Sequence, residues 1–149
     1  EWPQERILKT IQAMSDPQKY RILAWQGQRL VGHAAFLPHV IATNRGSLPI
    51  MQFAGVCVCS KLRGRRIGRK VVEWVFEKVG QPGLEVALFQ TGVPGFYEKL
   101  GAQCVSNRFV NSTNSEDPEA NPWWDEHIMI YPSTCDWPDG TINLLGPGY

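Results

Sequence analysis

Apolar and polar positions change period several times along the 149 residues, and each change marks a predicted element. Residues 3–14 read as a helix, with Pro3 in its first turn and Ile7, Leu8, Ile11 and Met14 on one stripe, ended by Ser15-Asp16-Pro17. Tyr20–Trp25 and Leu30–Phe36 read as strands joined by a tight turn at Gln26-Gly27-Gln28. A polar loop at 42–47 leads to a third long strand, Ile50–Cys59. A strongly amphipathic helix is predicted over 67–79, stopping at the breakers Gly80-Gln81-Pro82-Gly83. Leu84–Phe89 is then a strand after a strand–helix crossover, which implies a parallel pair with a right-handed connection. Pro94–Gly101 reads as a short helix capped by glycine, and Ala102–Val110 as a continuous strand. Residues 111–122 form a loop, and His127–Tyr131 is the last strand; turn signals follow at Pro138-Asp139-Gly140 and Gly146-Pro147-Gly148. The sum is one mixed α/β layer, with antiparallel hairpins first and one crossover in the middle.

The densest chemistry lies where the third strand meets the amphipathic helix, in Lys61-Leu-Arg-Gly-Arg-Arg-Ile-Gly-Arg-Lys70. A glycine-containing turn at a helix N-terminus presents free backbone N–H groups and the positive end of the helix dipole. Arg63, Arg65, Arg66 and Arg69 add full charges able to grip phosphate in a bidentate fork. A nucleic-acid patch is the competing reading, since six of these ten residues are basic. The glycines and the flanking strand and helix favour a phosphate loop.

Composition narrows the rest. Hydrophobic residues at 43% and charged residues at 19% describe a folded globular domain, and no apolar run approaches membrane-spanning length. No signal-peptide pattern opens the chain, so a cytoplasmic location is expected. The net charge of +1 hides an asymmetry: residues 1–104 carry +7 and residues 105–149 carry −6. A polyanionic ligand suits the first part and a cationic one the second. Cys57, Cys59, Cys104 and Cys135 lack the paired spacing of zinc sites, so neither a metal nor a disulfide framework is expected.

Two motifs in order carry a family resemblance. Arg63-Gly-Arg-Arg-Ile-Gly68 resembles the Q/R-x-x-G-x-G/A coenzyme A signature of the GCN5-related N-acetyltransferases, and Phe96-Tyr-Glu-Lys-Leu-Gly-Ala102 resembles that family's second conserved helix. The resemblance covers roughly residues 19–131. It implies an α/β fold of α+β type, a single domain over 1–149 with a mixed, mostly antiparallel sheet, a central splayed parallel strand pair and helices on both faces. The family's first strand has no counterpart in the pattern ahead of Tyr20. The resemblance further implies acetyl-CoA as acyl donor, with the pantetheine arm along Val56, Cys57 and Val58. Its pyrophosphate would rest on Arg63, Gly64, Arg65, Arg66, Ile67, Gly68 and Arg69. Tyr97 matches the tyrosine that protonates the departing thiolate. A thiolate near pKa 8.5 and a tyrosine near 10 leave that transfer uphill by roughly 2 kcal/mol. A place in the first turns of a helix should lower the tyrosine.

Two departures stand out. Arg66 occupies the place of the family's first motif glycine, so the loop requires an ordinary φ there. Ala54 stands where many relatives carry a glutamate base, leaving Asp136, His127 and the terminal carboxylate of Tyr149 as candidates. His33 and His39 read as structural. The tail Cys135-Asp-Trp-Pro-Asp-Gly140 resembles aminoglycoside 2′-N-acetyltransferases, and Trp137–Ile142 resembles nodulation-factor N-acyltransferases. The expected function is N-acetyl transfer by direct attack of a primary amine on the thioester. The acceptor would be a small, cationic compound bound by Trp124, Asp136, Trp137 and Tyr149. No nucleic acid, membrane or metal partner is expected, and a homodimer is left open. The alternatives are a non-catalytic acyl-CoA sensor and a transferase using a longer acyl donor.

Overall fold

A computed structural model describes residues 7–13 and 18–149. The strands are β1 (Ile7–Ala13), β2 (Tyr20–Gln26), β3 (Arg29–Thr43), β4 (Gly46–Val58), β5 (Ala87–Thr91), β6 (Gln103–Val105), β7 (Phe109–Val110), β8 (His127–Tyr131) and β9 (Ile142–Asn143). Helices α1 (Ile67–Phe76) and α2 (Pro94–Glu98) interrupt them. The hydrogen-bonded order is β1-β2-β3-β4-β5-β8-β6, with β9 joined to both β3 and β7. The sheet is mixed, parallel at β4–β5 and β7–β9 and antiparallel at the other registers. The described residues form two compact units, those up to residue 37 with 53–78 and residues 38–52 with 79–149.

In the first unit β1, β2 and β3 form an antiparallel meander, turning at Gly27 with φ +58°. The helix expected over 3–14 is strand from Ile7 to Ala13, in register with β2 from Ile7↔Gln26 to Ala13↔Tyr20; residues 3–6 and 14 lie outside the described residues. A stripe at 7, 8 and 11 suits either period over so short a span, and strand pairing decides it. Helix α1 buries Ile67, Val71, Val72, Val75 and Phe76. Three are β-branched valines of modest helix propensity, so burial at about 1.5–3 kcal/mol per side chain holds the helix in place. A Cβ at Gly32 would come within 3.1 Å of both Ile67 and Val71, which shows how closely α1 lies on the sheet. Phe53 meets Phe76 edge-on at 5.6 Å.

In the second unit β3 runs on to Thr43 and turns directly into β4, so the loop expected at 42–47 shrinks to Asn44-Arg45. The parallel β4–β5 ladder consists of Met51↔Ala87 and Gln52↔Leu88, and both strands run beyond it. Strand β8 pairs with β5 on one side and β6 on the other. The strand expected over 102–110 is broken: β6 ends at Val105, and β7 leaves it to pair with β9. The core gathers Ile41, Ile50, Leu88, Ile130, Ile142 and Leu144, all at 0% exposure.

Candidate active site

Strand β4 ends where the Cys59 N–H donates to the Val31 carbonyl at 2.9 Å. A 3₁₀ turn, Ser60–Leu62, follows; its Leu62 is buried and anchors the loop. Gly64 takes φ +77° and Arg66 φ +62° before α1 begins. The ordinary φ at Arg66, set as the condition for backbone approach to a pyrophosphate, is therefore not met. The residue sits in the left-handed conformation that glycine adopts freely, and the turn into α1 imposes it despite the side chain. The N-terminus of α1 carries no side-chain cap and no acidic residue in its first turn. Its first N–H groups are orphan donors, and Lys70 makes the first helical bond, to the Arg66 carbonyl at 3.1 Å. Arg63, Arg65 and Arg66 are exposed there. Arg69 is committed to Glu73 at 2.7 Å, so its charge is partly offset. Uncapped N–H donors on a loop with exposed arginines match the chemistry of a diphosphate.

Upstream, β4 presents Gly55 and Cys57 exposed, with Val56 and Val58 half-buried. Gly55 has φ +68°, a break in regular strand geometry, and its carbonyl oxygen lies 2.8 Å from Nδ1 of His33. Sequence reasoning passed over this link, although a glycine inside an otherwise apolar strand is a signal for a bulge.

In the second unit Pro94 occupies the first turn of α2, and Gly101 at φ +91° ends the turn that follows. Tyr97 is 7% exposed and packs on Phe89 and Phe96, with ring centroids at 4.8 and 4.9 Å. Burial pushes its hydroxyl up to about 12. The expected lowering by the helix terminus is overturned, since a five-residue helix cannot offset the desolvation of a phenolate among aromatic rings.

The acceptor candidates divide. Asp136 and Trp137 line a cavity of about 600 Å³ together with Cys104, Asn107, Arg108 and Asp139. Asp136 is exposed and paired with Arg45 at 2.8 Å, and Trp137 donates Nε1–H to the Asn107 side chain at 2.7 Å. Trp124 is 71% exposed. A second cavity of about 360 Å³ is lined by its buried neighbour Trp123 and by Asp125, Glu126, Glu119 and Arg108. The Tyr149 ring packs edge-on against Trp123 at 5.0 Å, its buried hydroxyl lacks a hydrogen-bond partner, and burial pushes it far up. Gln90 went unnoticed in the sequence. Its amide donates to the Tyr149 backbone oxygen at 3.0 Å and accepts from the N–H groups of Trp124 and Asp125 at 3.0 and 2.8 Å. Of the remaining base candidates, His127 stands 4.0 Å from Glu126. All four cysteines are free thiols, and the described residues hold no metal-binding cluster. No described helix is long and apolar enough to cross a membrane.

No curated protein matches the sequence. Among solved structures, the GNAT family N-acetyltransferase YhbS from Escherichia coli, in complex with CoA, is similar over 99% of this chain and 98% of its own, at 14% identity and a TM-score of 0.66. An acetyltransferase of the GNAT family from Staphylococcus aureus Mu50 is similar over 79% of this chain and 70% of its own, at 15% identity and a TM-score of 0.55. A GCN5-related N-acetyltransferase from Kribbella flavida matches 60% of the chain at 21% identity and a TM-score of 0.53; the match spans 23% of that longer protein. The described strand order thus has its counterpart in structures of one fold. A model of the acetyltransferase (GNAT) family matches residues 1–102, which include the arginine–glycine loop and the Tyr97 helix, and the chain belongs to that family.

Proposed function

We propose that the protein transfers the acetyl group of acetyl-CoA to a primary amine of a small, cationic acceptor by direct attack. The uncapped α1 N-terminus, with the left-handed glycine turn at Gly64 and exposed arginines, carries this reading. In it, the N–H groups of 66–69 and the guanidinium groups of Arg63, Arg65 and Arg66 hold the diphosphate. The β4 backbone at Val56–Val58, beyond the ladder to β5, pairs with the pantetheine arm. A backbone N–H there would stabilise the negative oxygen that develops on the thioester carbonyl. Tyr97, protonated throughout the physiological range, is the hydrogen-bond donor to the departing thiolate. Full proton transfer at pKa 12 is uphill by roughly 5 kcal/mol against an unperturbed thiol. Its hydroxyl therefore acts mainly by stabilising the forming thiolate.

The acidic linings of both cavities support a cationic acceptor, with Asp136 and Trp137 at one and Asp125 and Glu126 at the other. Trp124 and Tyr149 are the remaining proposed contacts. Titration calorimetry with acetyl-CoA tests the reading: saturable binding is expected, and no heat at millimolar ligand overturns it. Ala54 favours a second reading, a coenzyme-binding module without turnover, which predicts binding but no thiol release with any amine.

A further inference from the structure

The reaction just proposed needs a group to take the amine's proton, and position 54 on β4 is alanine. The neighbouring strand supplies one. His33 Nδ1 lies 2.8 Å from the Gly55 carbonyl oxygen. A carbonyl only accepts, so Nδ1 carries the hydrogen and the neutral ring holds its lone pair on Nε2. Nε2 has no hydrogen-bond partner among the described residues. Ring and strand fix each other: Gly55 takes φ +68°, and a Cβ there would stand 3.4 Å from His33 Cε1. His33 is half-buried, Gly55 is exposed, and the stretch assigned to the thioester arm begins at the next residue, Val56. The other histidines are placed differently, His39 Nε2 on the Leu144 carbonyl at 2.7 Å and His127 beside Glu126. Around His33, β2 brings Leu23 opposite it and Arg21 opposite Ala35, and β3 has no charged residue within two positions.

We infer that His33 is the general base of the transfer, an assignment that rests on the acetyl-transfer reading. Nε2 takes a proton from the acceptor's ammonium group, and Nδ1–H keeps its bond to Gly55 in the imidazolium. The freed lone pair forms the N–C bond to the thioester carbonyl carbon, and the C–S bond breaks with its electron pair on sulfur. The second amine proton ends on that sulfur, giving the free thiol, and His33 returns its proton to solvent. The products are the amide, the thiol and one proton.

The test uses His33→Gln, whose amide can still donate to the Gly55 carbonyl, with His33→Ala beside it. Calorimetry measures acetyl-CoA affinity, and thiol release measures turnover with two probes, ethylamine (protonated near neutral pH) and hydroxylamine (largely neutral). Unchanged coenzyme affinity in His33→Gln is expected, with turnover on ethylamine reduced by about 10²–10⁴-fold and turnover on hydroxylamine retained. Wild-type turnover of ethylamine by His33→Gln, or equal loss with both amines, overturns the assignment. Coenzyme binding by the wild type without thiol release from either amine overturns the base and leaves the coenzyme site standing. Absent coenzyme binding overturns both.

Discussion

Arg66 holds a left-handed backbone conformation that costs a side-chain-bearing residue roughly 1–2 kcal/mol. Arg66→Gly should therefore raise the melting temperature by about 2–8 °C, although it removes a charge from the loop. A lower melting temperature would show that the arginine side chain contributes more than the strain costs. Tyr97 makes a pH-dependent statement of its own. Its folded pKa of about 12 lies above the unfolded value near 10, so the folded state holds the proton more tightly. The associated stability, about 3 kcal/mol, is fully present below pH 10 and is lost as pH rises through 12. Denaturant titrations of Tyr97→Phe should show a shallower alkaline decline than the wild type. The same variant should lower kcat by about 10²-fold with coenzyme affinity kept; equal kcat removes Tyr97 from the reaction.

Among elements, β8 was readable from the chain because His127-Ile-Met-Ile-Tyr131 has high β-propensity between clear loop signals, and its observed bounds match. Helix α1 was readable because five buried positions recur at helical spacing. The N-terminal strand was misread because a short stripe carries no unique period, and β9 is too short to have one. The motif residues could be placed, but Tyr97's raised pKa and the His33–Gly55 link arise from tertiary neighbours that no local pattern records. Gln90 is a further case. Its side chain ties β5 to the 124–125 backbone and to Tyr149. Gln90→Met keeps the volume but strands three backbone groups, at about 1–3 kcal/mol for each that stays buried. Urea denaturation should report a loss of about 2 kcal/mol or more; an unchanged midpoint would mean that water replaces the amide.

For the whole molecule, the +7 of residues 1–104 and the −6 of residues 105–149 both imply ligand attraction that salt weakens. Acetyl-CoA affinity should fall several-fold between low and high ionic strength, since exposed arginines are screened over about 3–10 Å. Salt-independent affinity would place the diphosphate elsewhere. The small β9 bears on how the chain comes together in time. Ile142 and Asn143 pair with β7, and Asn143 also pairs with Ala42, a hundred residues upstream. A nascent chain halted before Ile142 would have made Ile41 and Ile50 long before the partners that cover them. Until that late segment has been synthesised, the apolar cluster of the second unit lacks part of its cover.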